Sequence, residues 1–327
     1  MLDFSEALLQ WYAENKRPLP WRENVTPYRV WVSEIMLQQT RIEAAKGYFL
    51  RFTEAFPDVF ALAAADEDTV LKLWEGLGYY SRARNLHKTA KLLVEQYHGE
   101  FPRDYAQLRA LPGVGEYTAG AIASLAFHAC ESAVDGNVMR VVSRLTCDTR
   151  SIAEQSFRRE VRFELKKLMR SETAAEFTSA LMELGETVCL PGTPECARCP
   201  LSALCQAHEA GEETLYPVMP EKKPRRVEER NVLLLLCGER VAVRRRGETG
   251  LLARLWEYPD GEAPEGAEKC GEAVHIFTHV EWHMTGYLLR VEQPLEPYRW
   301  VTREERAELA IPTAFRFYTK LLEKLGY

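Results

Sequence analysis

The hydrophobic period of this chain changes once, across a segment that suits neither pattern. Before that segment, FSEALLQWYAENK, DEDTVLKLWEGLG, LHKTAKLLVEQYHG, FRREVRFELKKLMRS and AAEFTSALMELGETVC place apolar residues three and four positions apart. That spacing belongs to helices with one buried face. Asp66 and Asp68 are suited to cap helices, and Gly76 and Gly78 to end them. The segment itself, HEAGEETLYPVMPEKKPRRVEER from His208 to Arg230, is dense in charge and holds three prolines, the composition of a linker. After it, NVLLLLCGERVAVRRR and HIFTHVEWHMTGYLLRV read as strands around turns, and AFRFYTKLLEKLG as a helix. The sequence thus predicts a mainly α domain over 1–207, a linker over 208–230 and a smaller α+β domain over 231–327.

A chain of 327 residues has room for two hydrophobic cores, and its 46% hydrophobic and 28% charged residues are those of a soluble globular protein. Asp3, Glu6 and Glu14 interrupt any signal-peptide pattern, and VLLLLC is too short to span a bilayer, so a cytoplasmic protein without a membrane is expected. The net charge of −6 does not exclude nucleic acid, because binding depends on local patches. SRARNLHK, with Arg82, Arg84 and Lys88, and RVVSRL, with Arg140 and Arg144, are candidate patches or else solvated helix faces.

Four of the eight cysteines, Cys130, Cys147, Cys237 and Cys270, are scattered and expected to be buried free thiols. The others fall in CLPGTPECARCPLSALC, a C-x6-C-x2-C-x5-C spacing through Cys189, Cys196, Cys199 and Cys205. Four thiolates in one loop can converge on zinc or on an iron–sulfur cluster. Zinc sites usually pair two short knuckles, and only the middle pair here has that form, which favours a cluster. With four ligands present, the centre's role is structural or electronic.

Within VWVSEIMLQQT, Glu34 has Val30, Trp31, Leu37 and Gln38 as its helical neighbours, three of them apolar. A carboxyl buried there raises its pKa and can serve as a general acid; at the helix rim it would merely bond a backbone group. LPGVGEYTAGAIASLAF follows the short helix DYAQLRAL. Gly113, Val114 and Gly115 make a tight turn whose N–H groups can hold a phosphate, although without a P-loop lysine. Helix, hairpin and helix over 104–128 either grips a nucleic-acid backbone or connects two helices closely packed through Gly120, Ala121 and Ser124. Asp135, in VDGNV, is a natural turn or capping residue.

Taken together, PWR, TPYRVWVSEIMLQQTRI, GLGYYSRARNL, LPGVGEYTAGAI, VDGNVMRV and the cysteine loop resemble the MutY-type adenine DNA glycosylases of the helix-hairpin-helix base-excision superfamily. In the second domain ETGLLARLWEYP and FTH extend the resemblance, which covers nearly the whole chain. It implies a monomeric enzyme with a 4Fe-4S cluster, nucleoid-associated and of bacterial type, which flips adenine mispaired with 8-oxoguanine out of duplex DNA and cleaves its bond to the sugar. Glu34 matches the acid that protonates adenine. Asp135 matches the carboxylate facing the positive charge on the sugar, Tyr117 the tyrosine beside it, and Asn137 a polar group near the attacking water. Arg22 matches a residue lining the adenine pocket, and Gln39 and Tyr79 match residues that wedge into the duplex.

The resemblance also separates alternatives. Endonuclease III-type enzymes carry a strand-cutting lysine where Tyr117 stands, so a monofunctional glycosylase is expected rather than a glycosylase/lyase. The catalytic set argues against a purely DNA-binding or redox module. The second domain resembles the MutT-like lesion reader and lacks the pyrophosphohydrolase sequence. Thr278 stands where the family usually has serine, and Ser179 where it often has an adenine-contacting Gln or Glu. His279 and His283 would share a strand face, where Trp282 signals packing rather than zinc.

Overall fold

The computed structural model describes residues 3–221 and 224–327; residues 1–2 of the expected first domain and 222–223 of the expected linker lie outside the described residues. Two compact units are present. One comprises Met1–Ala64 with Asn85–Glu221, the other Ala65–Arg84 with Lys222–Tyr327. A piece of the helical sequence therefore belongs to the same unit as the sheet.

The chain opens with α1 (Ser5–Asn15), α2 (Pro27–Leu37), α3 (Ile42–Ala55) and α4 (Val59–Ala64). Next come α5 (Glu67–Leu73), in the second unit, and α6 (Ser81–Tyr97), which runs through the boundary at residue 85. The first unit continues with α7 (Tyr105–Ala110), α8 (Glu116–Phe127), α9 (Gly136–Thr146), α10 (Gln155–Leu168), α11 (Ala174–Thr187) and α12 (Gln206–Ala210). Side chains fix several helix starts, since Thr26, Asp66, Asp104 and Asp135 each accept a backbone N–H of the first turn. Asp68, the other expected cap, lies inside α5. Gly76 and Gly78 take the left-handed backbone after α5, as expected of a stop. Leu8 and Tyr12 of α1, Val138 and Val142 of α9, and Phe177, Leu181 and Leu184 of α11 share one core. A Cβ on Gly120 would come 2.5 Å from the carbonyl oxygen of Ser132, so α8 passes its neighbour at a distance only glycine allows.

The basic residues expected at the surface mostly point inward. Arg82, Arg140 and Arg144 are buried, because each guanidinium serves backbone carbonyls. The expected linker is partly ordered against the first unit. It contains part of α12, and the Ile152 N–H donates to the Val218 carbonyl.

In the second unit, β1 (Arg226–Cys237), β2 (Arg240–Arg245), β3 (Trp256–Glu257), β4 (Glu268–Ile276), β5 (Val280–Arg290) and β6 (Arg299–Val301) form one sheet. Its order is β3-β2-β1-β5-β4, with β6 on β2 and with β1 and β5 parallel. Helices α13 (Arg303–Ala307) and α14 (Arg316–Lys324) follow. Val232, Leu234 and Leu236 pack with Tyr318 and Leu322 of α14, whereas Leu233 and Leu235 pack with Tyr287, Leu289 and Trp300. Both faces of β1 are thus covered, which explains its unbroken apolar run. Two expectations need correction. His279 sits in the exposed turn before β5 rather than on a strand with His283, because the hairpin closes over 277–279. Cys130, Cys147, Cys237 and Cys270 are free but only half-buried, since none faces a core interior completely.

Candidate active site

Helix α2 brings Glu34 into the first unit's interior, where 5% of the residue is exposed. Val30 and Trp31, one turn back, are buried with it. The Tyr117 hydroxyl, from the first turn of α8, donates to Glu34 Oε2 at 2.5 Å. Burial pushes the Glu34 carboxyl up to about 7; the Tyr117 hydrogen bond opposes the shift and the nearby Asp135 charge adds to it. Burial and the Glu34 charge raise the Tyr117 hydroxyl well above its ordinary range.

Asp135 enters as the cap of α9. One oxygen accepts the Val138 N–H at 2.8 Å and the other the Asn137 Nδ2 at 2.9 Å. Burial raises its pKa, and these two donors pull the other way. Arg140 donates to Asn137 Oδ1 and to the carbonyls of Gly185 and Cys189, so Asn137 is held on both sides. The structure therefore brings Glu34, Tyr117, Asp135 and Asn137 into one interacting group.

Helix α11 contributes a further set. The Arg22 guanidinium donates to Glu183 Oε2 at 2.7 Å and lies over the Tyr12 ring. Arg17 bonds both Glu183 and Glu186. Burial alone would raise Glu183, but the two arginines hold it below the usual carboxylate range. Glu186 is raised, because burial outweighs its bond to Arg17. Ser179 interacts with the Tyr12 hydroxyl. Sequence reasoning singled out neither Arg17, Glu183 nor Glu186. The available signal was spacing: Ser179, Glu183 and Glu186 stand four and seven residues apart, on one helix face.

The hairpin between α7 and α8 turns through Gly113, which has φ +74°. The Val114 side chain is buried, leaving only its backbone for a ligand, whereas a Cβ on Gly115 would meet open space. Glu116 pairs with Arg109 across the turn. Gln39, in a left-handed turn after α2, is exposed, while Gln38 Nε2 bonds the Thr118 hydroxyl of α8. In the second unit Tyr79 and Thr278, distant in sequence, meet hydroxyl to hydroxyl at 2.5 Å on exposed turns.

Cys189, Cys196, Cys199 and Cys205 lie close enough for their charges to interact. Arg144 braces this loop. Its guanidinium donates to Cys189 Sγ at 3.3 Å and to the carbonyls of Leu190, Gly192, Glu213 and Tyr216. Four soft donors in one loop, near enough for their charges to interact, and an N–H aimed at sulfur fit an iron–sulfur cluster. Cys196 also neighbours His208 and Glu213, a second group of metal-type ligands among the described residues.

Residues 32–171 match the HhH-GPD family, the HhH-GPD superfamily base excision DNA repair proteins, and residues 231–321 match the NUDIX domain. The solved structure of a thermostable thymine-DNA glycosylase superposes with a TM-score of 0.57 at 25% identity, over 63% of this chain and 95% of that one. A non-covalent endonuclease III–DNA complex gives 0.53 at 25% identity, with the same coverage. The adenine DNA glycosylase of Rattus norvegicus is 32% identical over 98% of this chain and 78% of its own length. A helical unit with a glycine hairpin, a NUDIX-like sheet unit and that end-to-end likeness carry one conclusion: the chain belongs to the adenine DNA glycosylases.

Proposed function

We propose that this adenine glycosylase acts on adenine opposite 8-oxoguanine, and also opposite guanine, and hydrolyses the base–sugar bond without cutting the strand. The observation that carries the reading is Glu34, a buried acid raised to about 7 and bonded by Tyr117 next to Asp135. Tyr117 occupies Oε2, so the transferable proton sits on Oε1, available to a ring nitrogen of a flipped adenine. Protonation makes the base a better leaving group. Asp135, oriented by the Val138 and Asn137 donors, faces the positive charge that develops on the sugar, and Asn137 orients the water. Arg22 lines the adenine pocket, the Gly113–Gly115 turn holds backbone phosphate, and Gln39 fills the gap left by the base. Tyr79 and Thr278 form one contact surface for the 8-oxoguanine strand.

Cys189, Cys196, Cys199 and Cys205 would hold a 4Fe-4S cluster, whose bonds to four thiolates would cross-link the loop. Single-turnover incubation with an A:8-oxoguanine duplex tests the reading. Free adenine should appear, with strand cleavage only after alkali. An intact duplex overturns it, and a borohydride-trapped covalent adduct would point instead to a glycosylase/lyase. Glu34→Gln is expected to abolish release while preserving duplex binding.

A further inference from the structure

We propose that Glu186 accepts a hydrogen bond from the exocyclic amine of the flipped adenine, a contact that the short Ser179 side chain cannot supply. The assignment rests on the reading above that the base enters beside Glu34. That amine offers two N–H donors and needs an acceptor. The adenine-facing row of α11 is Ser179, Met182, Glu183 and Glu186, and the Met182 sulfur contacts the Tyr117 hydroxyl at 3.6 Å.

Elimination leaves one acceptor on this row and among the neighbouring acids. Glu183 is saturated: Oε1 takes the Arg17 N–H and Nε, and Oε2 takes one nitrogen each from Arg17 and Arg22. Asp135 is held by Val138 and Asn137, and Glu34 is committed to the ring nitrogen. Ser179 interacts with Tyr12. Glu186 gives Oε2 to Arg17, and its Oε1 has no partner among the described residues. The side chain is 30% exposed and its charge reaches Glu34, Tyr117 and Asp135, so it borders the same space. Arg17, itself tied to Glu183, holds the carboxylate in place.

The test compares single-turnover release of adenine with release of unsubstituted purine, which lacks the amine, each opposite 8-oxoguanine. Glu186→Ala should slow adenine release by roughly tenfold to a hundredfold more than it slows purine release, the range for a lost hydrogen bond to a charged group. Glu186→Gln keeps a carbonyl acceptor and should preserve the ratio of the two rates. Should Glu186→Ala not fold, Glu186→Met, of similar length and without an acceptor, carries the same comparison. An unchanged adenine-to-purine ratio overturns the assignment while the wild-type activity stands. Failure of the wild-type protein to release adenine overturns the underlying reading and this assignment with it.

Discussion

Glu34 carries two properties that pH should separate. With its folded pKa near 7 against an ordinary 4.5, the folded chain keeps a proton that the unfolded chain has released between those values. Stability therefore falls as pH rises through that window, and this penalty is complete above about pH 7. Glu34→Gln removes the penalty. At pH 8 the variant should be more stable than wild type by about 3 kcal/mol, with the difference closing toward pH 4.5, as read from urea midpoints. Activity should run the same way in the wild type. Single-turnover excision should hold below pH 7 and fall about tenfold per pH unit above it; a flat profile to pH 9 would remove Glu34 as the acid. The burial of Glu34 was legible in the sequence because three of its four helical neighbours are apolar, whereas its role as the acid rested on the resemblance. Glu186 was not legible, because Thr187 and the polar end of α11 make it look like a solvated residue, and only folding sets it beside Arg17.

Helices α8 and α9 illustrate what period and capping reveal and what they hide. Their starts were readable from Gly115 and from Asp135, since a turn and a cap are local events. The fate of Arg140 and Arg144 was not, because a charge on a helix does not declare whether carbonyls or water will satisfy it. Arg144 answers four carbonyls and one sulfur at the cysteine loop. Arg144→Met should leave these groups unpaired, lower stability by about 3 kcal/mol or more, and reduce iron per chain in the purified protein. Full iron content in a stable variant would show that the cysteines alone shape the loop. The α7–α8 hairpin makes a different demand. An alanine at Gly113 would adopt φ +74° and bring its Cβ 2.6 Å from that of Asn85. Gly113→Ala should therefore weaken binding to matched and mismatched duplexes alike, because the turn is proposed to hold backbone phosphate rather than bases.

At the scale of the whole molecule, the order of the sequence and the order of the fold diverge. Composition placed one boundary at the proline-rich segment, but Ala65–Arg84 belongs with the sheet unit. No periodicity could announce this, because α5 is as amphipathic as its neighbours and only tertiary partners distinguish it. Those partners are specific. Glu67 pairs with Arg254, Asp68 with Arg245, and Glu75 accepts the Ile311 N–H. Lys72 donates to the Leu309 carbonyl and Arg84 to that of Ala253. Tyr79 meets Thr278 in the same unit, so the two residues proposed to hold the 8-oxoguanine strand share one rigid support. A chain ending at 221 would retain the candidate catalytic group but remove every one of these partners. Trypsin should then cut rapidly at Lys72, Arg82 and Arg84 in the fragment and slowly in the full chain, because proteolysis reports local opening. The fragment should also excise adenine opposite 8-oxoguanine more slowly than the full chain does, since Tyr79, proposed to contact that strand, would no longer be held. Equal resistance in fragment and full chain would mean that the helical unit alone orders Ala65–Arg84, and that lesion reading does not depend on this shared support.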